Sequence, residues 1–593
     1  MAHTRYRETV SAAPLRTLPA AALRAVLREG YSFRDLRSDV LAGAVVGVVA
    51  LPLAMALSIA VGAPPQNGLY TSIVAGIAVG ALGGSRTQVS GPTAAFVVIL
   101  APIYARFGLA GLLIAGLLGG LMLIGMGVAR LGRLIEFIPH PVTTGFTAGI
   151  ATVIATLQLK DAFGLSLTRN PESYFARVAA MFQARHTSSL SEAAIALGTL
   201  GLLIYLPRLS RRVPAPLLAL PAMSIAALVL RHFVPGFQVA TIGSRFHTMV
   251  AGRAVDGIPQ LPPLPLLPWH QPGPSGLPFV LSLDTLQALI TSAFAIAMLG
   301  AIESLLSAVV ADGMAGTRHD PDAELLALGV GNVIAPFFGG IPATGAIART
   351  ATNIRSGARS PIAAIVHSFT VLVAVLALAP LIAYVPMASL AALLLLVAWN
   401  MAELKHFVRV IQLAPKSDVM VLLTCYSLTV MFDMVLAVSV GVVLAALLFM
   451  RRMAEVTHAE ISEEQHPATK IPLPKGVIVY DIAGPLFFGA AQKAMSTLNR
   501  VSLMTRSVIL RMDSVPAIDS TGLVALESAL DQLEKRDVLT IITGLQQQPA
   551  VLLKKSNLEN RRAKVLITED LGSALVLAQT HAAEAPAGSG ISE

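Results

Sequence analysis

IPATGAIARTATN, Ile341 to Asn353, is the stretch from which the fold is read. It is built of small residues, broken by proline and glycine, and carries an arginine, yet apolar sequence flanks it on both sides. In hydrocarbon an unsatisfied backbone group is costly, so interrupted backbone survives there only when buried in protein or lining a cavity. A second stretch of this kind, VSGPTAAF (Val89 to Phe96), lies in the first half of the apolar region. The two breaks are expected to face each other and to form one site.

The chain has 593 residues, 55% of them hydrophobic and 13% charged. A soluble domain carries about 25% charged residues, so the composition is that of a polytopic membrane protein with a soluble part attached. The apolar runs exceed the roughly 10 residues of a membrane barrel strand, which makes the spans helices. A single cysteine, Cys425, excludes a disulfide framework and a cysteine metal site. Residues 1–38 hold seven arginines and no apolar core of signal-peptide length. They read either as an interfacial amphipathic helix or as a basic tail that fixes orientation.

Apolar segments fall at about 39–62, 66–84, 92–106, 108–130, 139–158, 190–206 and 214–234. After a proline-rich loop they resume at about 281–312, 323–338, 346–356, 361–384, 386–401, 417–433 and 434–450. With the N-terminus inside, the inner segments hold 21 Lys and Arg and the outer ones 8, as the positive-inside rule demands. The +9 net charge is thus read as loop charge, with no nucleic-acid partner. Seven spans per half invert the second half relative to the first, and the short third span then corresponds to the short tenth. Matched broken segments in inverted halves point to a transporter's binding site near the bilayer midplane.

Pro92 is expected at the first helical position, leaving Thr93, Ala94 and Ala95 with free N–H groups. Gly345 ends the second break, and Ala346, Ile347 and Ala348 repeat the arrangement. Each helix N-terminus is worth roughly half a positive charge and binds anions readily. The competing reading is that glycine and proline here merely permit close helix packing. Arg349 follows in the first turn of the tenth span; an intramembrane arginine costs at least ~2.5 kcal/mol and needs an interior partner. Two half-charges plus Arg349 sum to about +2, suited to a dianion. Glu303, deep in AFAIAMLGAIESLLSAVV, shares a helix face with Ser292, Ile296, Leu299, Gly300 and Ser307. It is a candidate proton carrier, or else a fixed ion-pair partner of Arg349. Neither a G-x-x-x-x-G-K-[ST] loop nor H-E-x-x-H occurs, which argues against an ATP-driven pump.

Residues 454–474 read as a polar linker, and a small α/β domain is expected over 475–582, with a tail at 583–593. VIVYDI, SVILRM and VLTIIT are strand-like, and LVALESALDQLEK has helical spacing.

LPLAMALSIAVGAPPQNGLY, GGSRTQVSGPTAAF, AMLGAIESLL and PFFGGIPATGAIARTATN resemble the SulP/solute carrier 26 anion transporter family, most of all its bacterial aerobic C4-dicarboxylate carriers. AGPLFFGAA and VPAIDSTGL resemble the family's STAS domain. The resemblance implies an α-helical polytopic membrane protein of 14 spans in a 7+7 inverted repeat, plus a cytoplasmic α/β STAS domain. Spans 1–4 and 8–11 would form a core that shifts against a gate in an elevator-like motion, over a transport domain at 39–453. It also implies a homodimer in the cell inner membrane, both termini cytoplasmic, with an unidentified soluble partner for the STAS domain. Thr93, Ala346, Ile347, Ala348 and Arg349 would fall at the anion site and Glu303 at the coupling acid.

The expected activity is proton-coupled C4-dicarboxylate uptake without cofactor or metal. Sulfate or bicarbonate transport, sodium coupling, an uncoupled channel and a STAS-anchored scaffold are the alternatives. One departure bears on substrate: many members carry Gln and Tyr where this chain has Leu53 and Ala56, which fits an organic dianion with methylenes to pack. In related STAS domains the D-S-[ST]-G turn is phosphorylated. Here that makes Thr521 the candidate, against a capping role for Asp519 or Ser520.

Overall fold

The computed structural model describes residues 19–135, 138–167, 173–209, 214–250, 253–280, 282–432, 434–462, 473–498, 502, 504–558 and 564–584. The chain divides into two compact units, residues 1–442 and 443–593.

The first unit is helical, apart from two short antiparallel ladders, β1 (Ser90–Gly91) with β4 (Thr344–Gly345) and β2 (His247–Val250) with β3 (Arg253–Asp256). Its first half holds α1 (Phe33–Val61), α2 (Pro65–Leu82), a bent helix Ala94–Val128 whose arms are α3 (94–107) and α4 (109–128), α5 (His140–Ala162), α6 (Leu190–Leu209) and α7 (Ala215–Phe233). The second half holds α8 (Leu283–Ala315), α9 (Pro321–Ile334), α10 (Ile347–Arg355), α11 (Ile362–Ile382), α12 (Met387–Ala402), α13 (Lys416–Met431) and α14 (Met434–Val456), the last running into the second unit. Among the described residues nine helices are long and apolar enough to cross a membrane unaided. α10, with 9 residues, and α9, with 14, are not.

Packing reveals the repeat. α1 lies on α11 as α8 lies on α4, and α2 lies on α11 as α9 lies on α4. Exchanging 1 with 8, 2 with 9 and 4 with 11 therefore maps the contacts onto themselves. Likewise α5 contacts α13 as α12 contacts α6, and α5 meets α12. The fourteen segments thus sort into a core of α1–α4 with α8–α11 and a gate of α5–α7 with α12–α14. Small residues at the crossings permit the close approach: a Cβ on Gly120 would sit 2.8 Å from the Gly329 carbonyl oxygen. The bend between α3 and α4 falls at Gly108, with φ 67°. A side chain there would be strained and would strike Gly273, whose loop is tied on by Ala110 N–H donating to Pro272 O at 3.1 Å.

The second unit carries a five-stranded sheet ordered β5-β6-β7-β8-β9, made of β5 (His458–Ser462), β6 (Val477–Ala483), β7 (Ser507–Ser514), β8 (Leu539–Thr543) and β9 (Val565–Thr568). β5 runs antiparallel to β6 and the other neighbours are parallel. Both faces are buried, so the strands read as continuous apolar runs. Ile478, Tyr480 and Leu510 pack under α15 (Phe488–Leu498) and α16 (Ser520–Lys535). Val479, Ile509 and Ile541 face Ala574 and Ala578 of α18 (Leu571–Glu584), and α17 (Gln547–Ser556) adds Leu553 to the first face. The expected linker at 454–474 needs correcting, because 458–462 is β5, a sheet strand. Its polar alternation reads as linker because an edge strand leaves half its side chains in water. Residues 463–472 and the expected tail beyond 584 lie outside the described residues.

Candidate functional site

The two breaks pair with each other. Ser90–Gly91 (β1) and Thr344–Gly345 (β4) form a two-stranded antiparallel ladder, with Ser90 opposite Gly345 and Gly91 opposite Thr344. This short ladder satisfies backbone that could not survive bare in hydrocarbon. It also sets α3 and α10 N-terminus to N-terminus, with Thr93 and Ala346 as their N-caps.

The helix starts differ from the sequence reading in two details. Pro92 precedes the N-cap Thr93 and so lies outside α3, where its carbonyl becomes an acceptor. Ala346 does not offer its N–H, which donates to Val89 O at 2.9 Å. The first-turn donors are therefore those of Ala94 and Ala95 on one side and of Ile347, Ala348 and Arg349 on the other. Ile347 and Ala348 are exposed, Thr93 and Ala94 half-buried.

Arg349 is 3% exposed, and its Nη2 donates to Pro92 O at 2.8 Å. Its Nη1 lies against Gly91, where a Cβ would come within 2.5 Å, so any larger residue at 91 would displace the guanidinium. Glu303 approaches from α8, and Thr93 Oγ1 donates to its Oε2 at 2.9 Å. The alternative of a fixed Glu303–Arg349 ion pair is not what the geometry shows: the two groups hold neighbouring residues of the first break instead. Val89 N–H donates to Thr350 Oγ1 at 3.0 Å, and Asn353 Nδ2 donates to Thr87 O at 2.8 Å, which ties α10 to the strand before α3.

A supporting set of polar residues was not singled out from the sequence. Glu324 of α9 accepts from Gly84 N at 2.9 Å, Ser85 N at 3.1 Å and Gln88 Nε2 at 2.9 Å. Gln88 Nε2 also reaches Ser304 Oγ at 2.7 Å. The second break hangs from amides and a hydroxyl: Asn332 exchanges bonds with Ala343, Asn67 donates to Gly339 O, and Thr71 donates to Ile341 O. A buried Asn, Gln or Glu in an apolar run was the available signal, since such groups are retained where backbone needs partners.

Residues 36–425 match the Sulfate permease family and residues 468–573 match the STAS domain. The chain belongs to the sulfate permease family. Over 539 residues this permease is 39% identical to the sulfate-transporter-named YvdB of Bacillus subtilis, covering 90% of this chain and 96% of that one. It is 29% identical to the bicarbonate transporter BicA of Picosynechococcus over 89% of this chain and 92% of the other. The solved murine solute carrier 26 family member A9 anion transporter shares the fold at a TM-score of 0.80 and 17% identity, with 97% of each chain covered.

In the permease's STAS domain, Asp519 is the N-cap of α16 and its Oδ1 accepts from Gly522 N at 2.6 Å. Thr521 is exposed in the first turn. The capping role is thus occupied by Asp519, and phosphorylation of Thr521 remains a proposal.

Proposed function

We propose that this permease is a secondary transporter that binds a dianion between the N-termini of α3 and α10 and moves it with a proton. The pairing of Ser90–Gly91 with Thr344–Gly345 carries the reading, because it aims two helix dipoles at one place beside Arg349. Two half-charges and a guanidinium sum to about +2, which matches a dianion. The finer reading is a C4-dicarboxylate such as succinate, fumarate or aspartate. Half-buried Leu53 on α1 and Ile347, 44% exposed at the site's edge, support it as apolar surface for methylenes, while Ala56, 1% exposed, supports it only as the lack of a polar side chain there. Sulfate is the second reading, favoured by the identity to YvdB; bicarbonate follows from BicA.

Glu303 supplies the coupling. As a carboxylate it accepts the Thr93 hydroxyl hydrogen; once protonated it can donate to Thr93 Oγ1 instead. The Thr93 hydrogen is then free to turn toward an anion at the N–H groups of Ala94 and Ala95. Proton and anion therefore favour each other's binding, and by linkage the effect is reciprocal. Carriage fits an elevator-like shift of α1–α4 and α8–α11 against the gate, in a bacterial inner-membrane homodimer with both termini cytoplasmic. The STAS domain would dock a soluble partner.

Uptake of succinate, sulfate and bicarbonate into proteoliposomes tests this. Uptake of the carried anion should rise with an inward proton gradient, and Glu303→Gln should keep exchange while losing that response. A response to sodium alone would move the coupling to that ion. Conductance without accumulation would make the protein a channel.

A further inference from the structure

A ten-residue helix, Leu404–Leu413, joins α12 to α13. Glu403, with φ 39°, turns the chain out of α12, and Pro415 leads it into α13. The sequence LKHFVRVIQL divides into three stripes at helical spacing. His406, Phe407 and Val410 are half-buried against the protein. The His406 ring lies 5.0 Å from that of His140, and the Phe407 ring 5.7 Å from that of Tyr426. Leu404, Val408 and Ile411 form a second stripe, 51%, 41% and 39% exposed. Lys405, Arg409 and Gln412 form the third, all of them exposed.

In water the second stripe would leave three large apolar side chains bare in a row. At a bilayer surface such a stripe is buried about 5–10 Å deep, at the boundary of headgroups and acyl chains. The helix stands where that boundary is expected. It links two helices of the membrane unit, on the side to which the Lys and Arg count assigns the interior. Trp399, one turn before the end of α12, is exposed, and an exposed tryptophan near the end of a span marks the headgroup level. The cations beside the apolar stripe are uncommitted. Among the described residues no ion pair or side-chain hydrogen bond engages Lys405 or Arg409, whereas Arg86, Arg359 and Arg451 each hold a carboxylate.

We infer that Leu404–Leu413 is an interfacial helix that docks on the inner leaflet, where Lys405 and Arg409 hold the phosphodiester of an anionic phospholipid such as phosphatidylglycerol. The apolar stripe sets the depth and the cations select the headgroup. The corner between α12 and α13 is thereby tied to the bilayer, as an elevator-like motion requires of the part that stays in place. The choice of leaflet rests on the topology proposed above, and the lipid preference does not.

The test uses the full-length protein in phosphatidylcholine proteoliposomes. Cys425 is buried, so Val408→Cys supplies the thiol that takes a bimane fluorophore. Nitroxide-labelled phosphatidylglycerol or phosphatidylcholine is then titrated in as quencher. Both should quench, the anionic lipid at about 10-fold lower mole fraction. Lys405→Gln combined with Arg409→Gln should bring the two lipids within about 2-fold of each other, while Arg409→Lys keeps the preference. With both cations in place, raising salt from about 0.1 M to about 1 M should shrink the preference, a readout that needs no change of charge in the protein. Equal quenching by the two lipids, or a preference that survives the double substitution, would overturn the headgroup site. Quenching by neither would place a second copy or another protein on the stripe and overturn the lipid assignment. A membrane-impermeant thiol reagent that reaches Lys405→Cys only from outside intact cells would overturn the inner-leaflet placement and the topology behind it, and leave the lipid preference standing.

Discussion

At the first break α3 opens on Thr93, whose hydroxyl is held by Glu303, and the strand before it hangs from the carboxyl group of Glu324. At the second break α10 opens on Ala346, whose N–H is already bonded to Val89 O, and the loop before it hangs from Asn332, Asn67 and Thr71. The backbone geometry is shared and the chemistry is not. Glu303 and Arg349 both belong to the second half, and both place their polar atoms on the first break, at Thr93 and Pro92. One repeat therefore supplies the charges and the other the groups that respond to them. An inverted repeat doubles a scaffold, and divergence then assigns the cation and the proton carrier to one copy.

Removing the charge should break this division most severely. Arg349→Ala should lower uptake at least ~100-fold, since it deletes a buried charge and leaves Pro92 O without its donor. Arg349→Lys should recover a fraction, because one ammonium cannot reproduce the forked geometry. Initial uptake rates, normalised to protein in the membrane, check both.

The anchors come next. Glu324→Ala strands two backbone N–H groups and should cost about 2–4 kcal/mol of stability. The equivalent loss at the second break, Asn332→Ala, should cost less because it strands one backbone N–H, that of Ala343, instead of two. Thermal unfolding of the purified protein orders the two, and equal losses would erase the distinction between the breaks. Thr93→Val should reduce the proton-gradient stimulation of uptake by about 5-fold, the worth of one hydrogen bond, while Thr93→Ser stays near wild type. The smallest effect lies outside the membrane unit. Asp519→Ala should remove about 1 kcal/mol from the STAS domain, read as its melting temperature, and leave the half-saturating anion concentration unchanged.

The spans were legible because hydrocarbon imposes length and apolarity, and boundaries such as 346–356 for α10 fall within a residue of Ile347–Arg355. The pairing of the breaks was legible from symmetry, since two interrupted stretches in matching positions have few other ways to satisfy their backbones. What remained hidden depends on direction in space. Pro92 as acceptor, Ala346 N–H as a spent donor and Glu324 as anchor follow from how the loops turn, and composition does not encode that. β5 was hidden because strand and linker share a polar, charged composition at a sheet edge. Arg349 and Glu303 were visible as costly charges, yet their assignment to Pro92 and Thr93 rather than to each other required coordinates.

The central claim is that one anion sits between the two half-helix N-termini. Anomalous diffraction from crystals grown with selenate or bromosuccinate tests it directly. A single strong peak within hydrogen-bond distance of the N–H groups of Ala94–Ala95 and Ile347–Ala348 is the predicted result. A protein that transports the same anion but shows its peak elsewhere, with the paired breaks empty, would contradict the account.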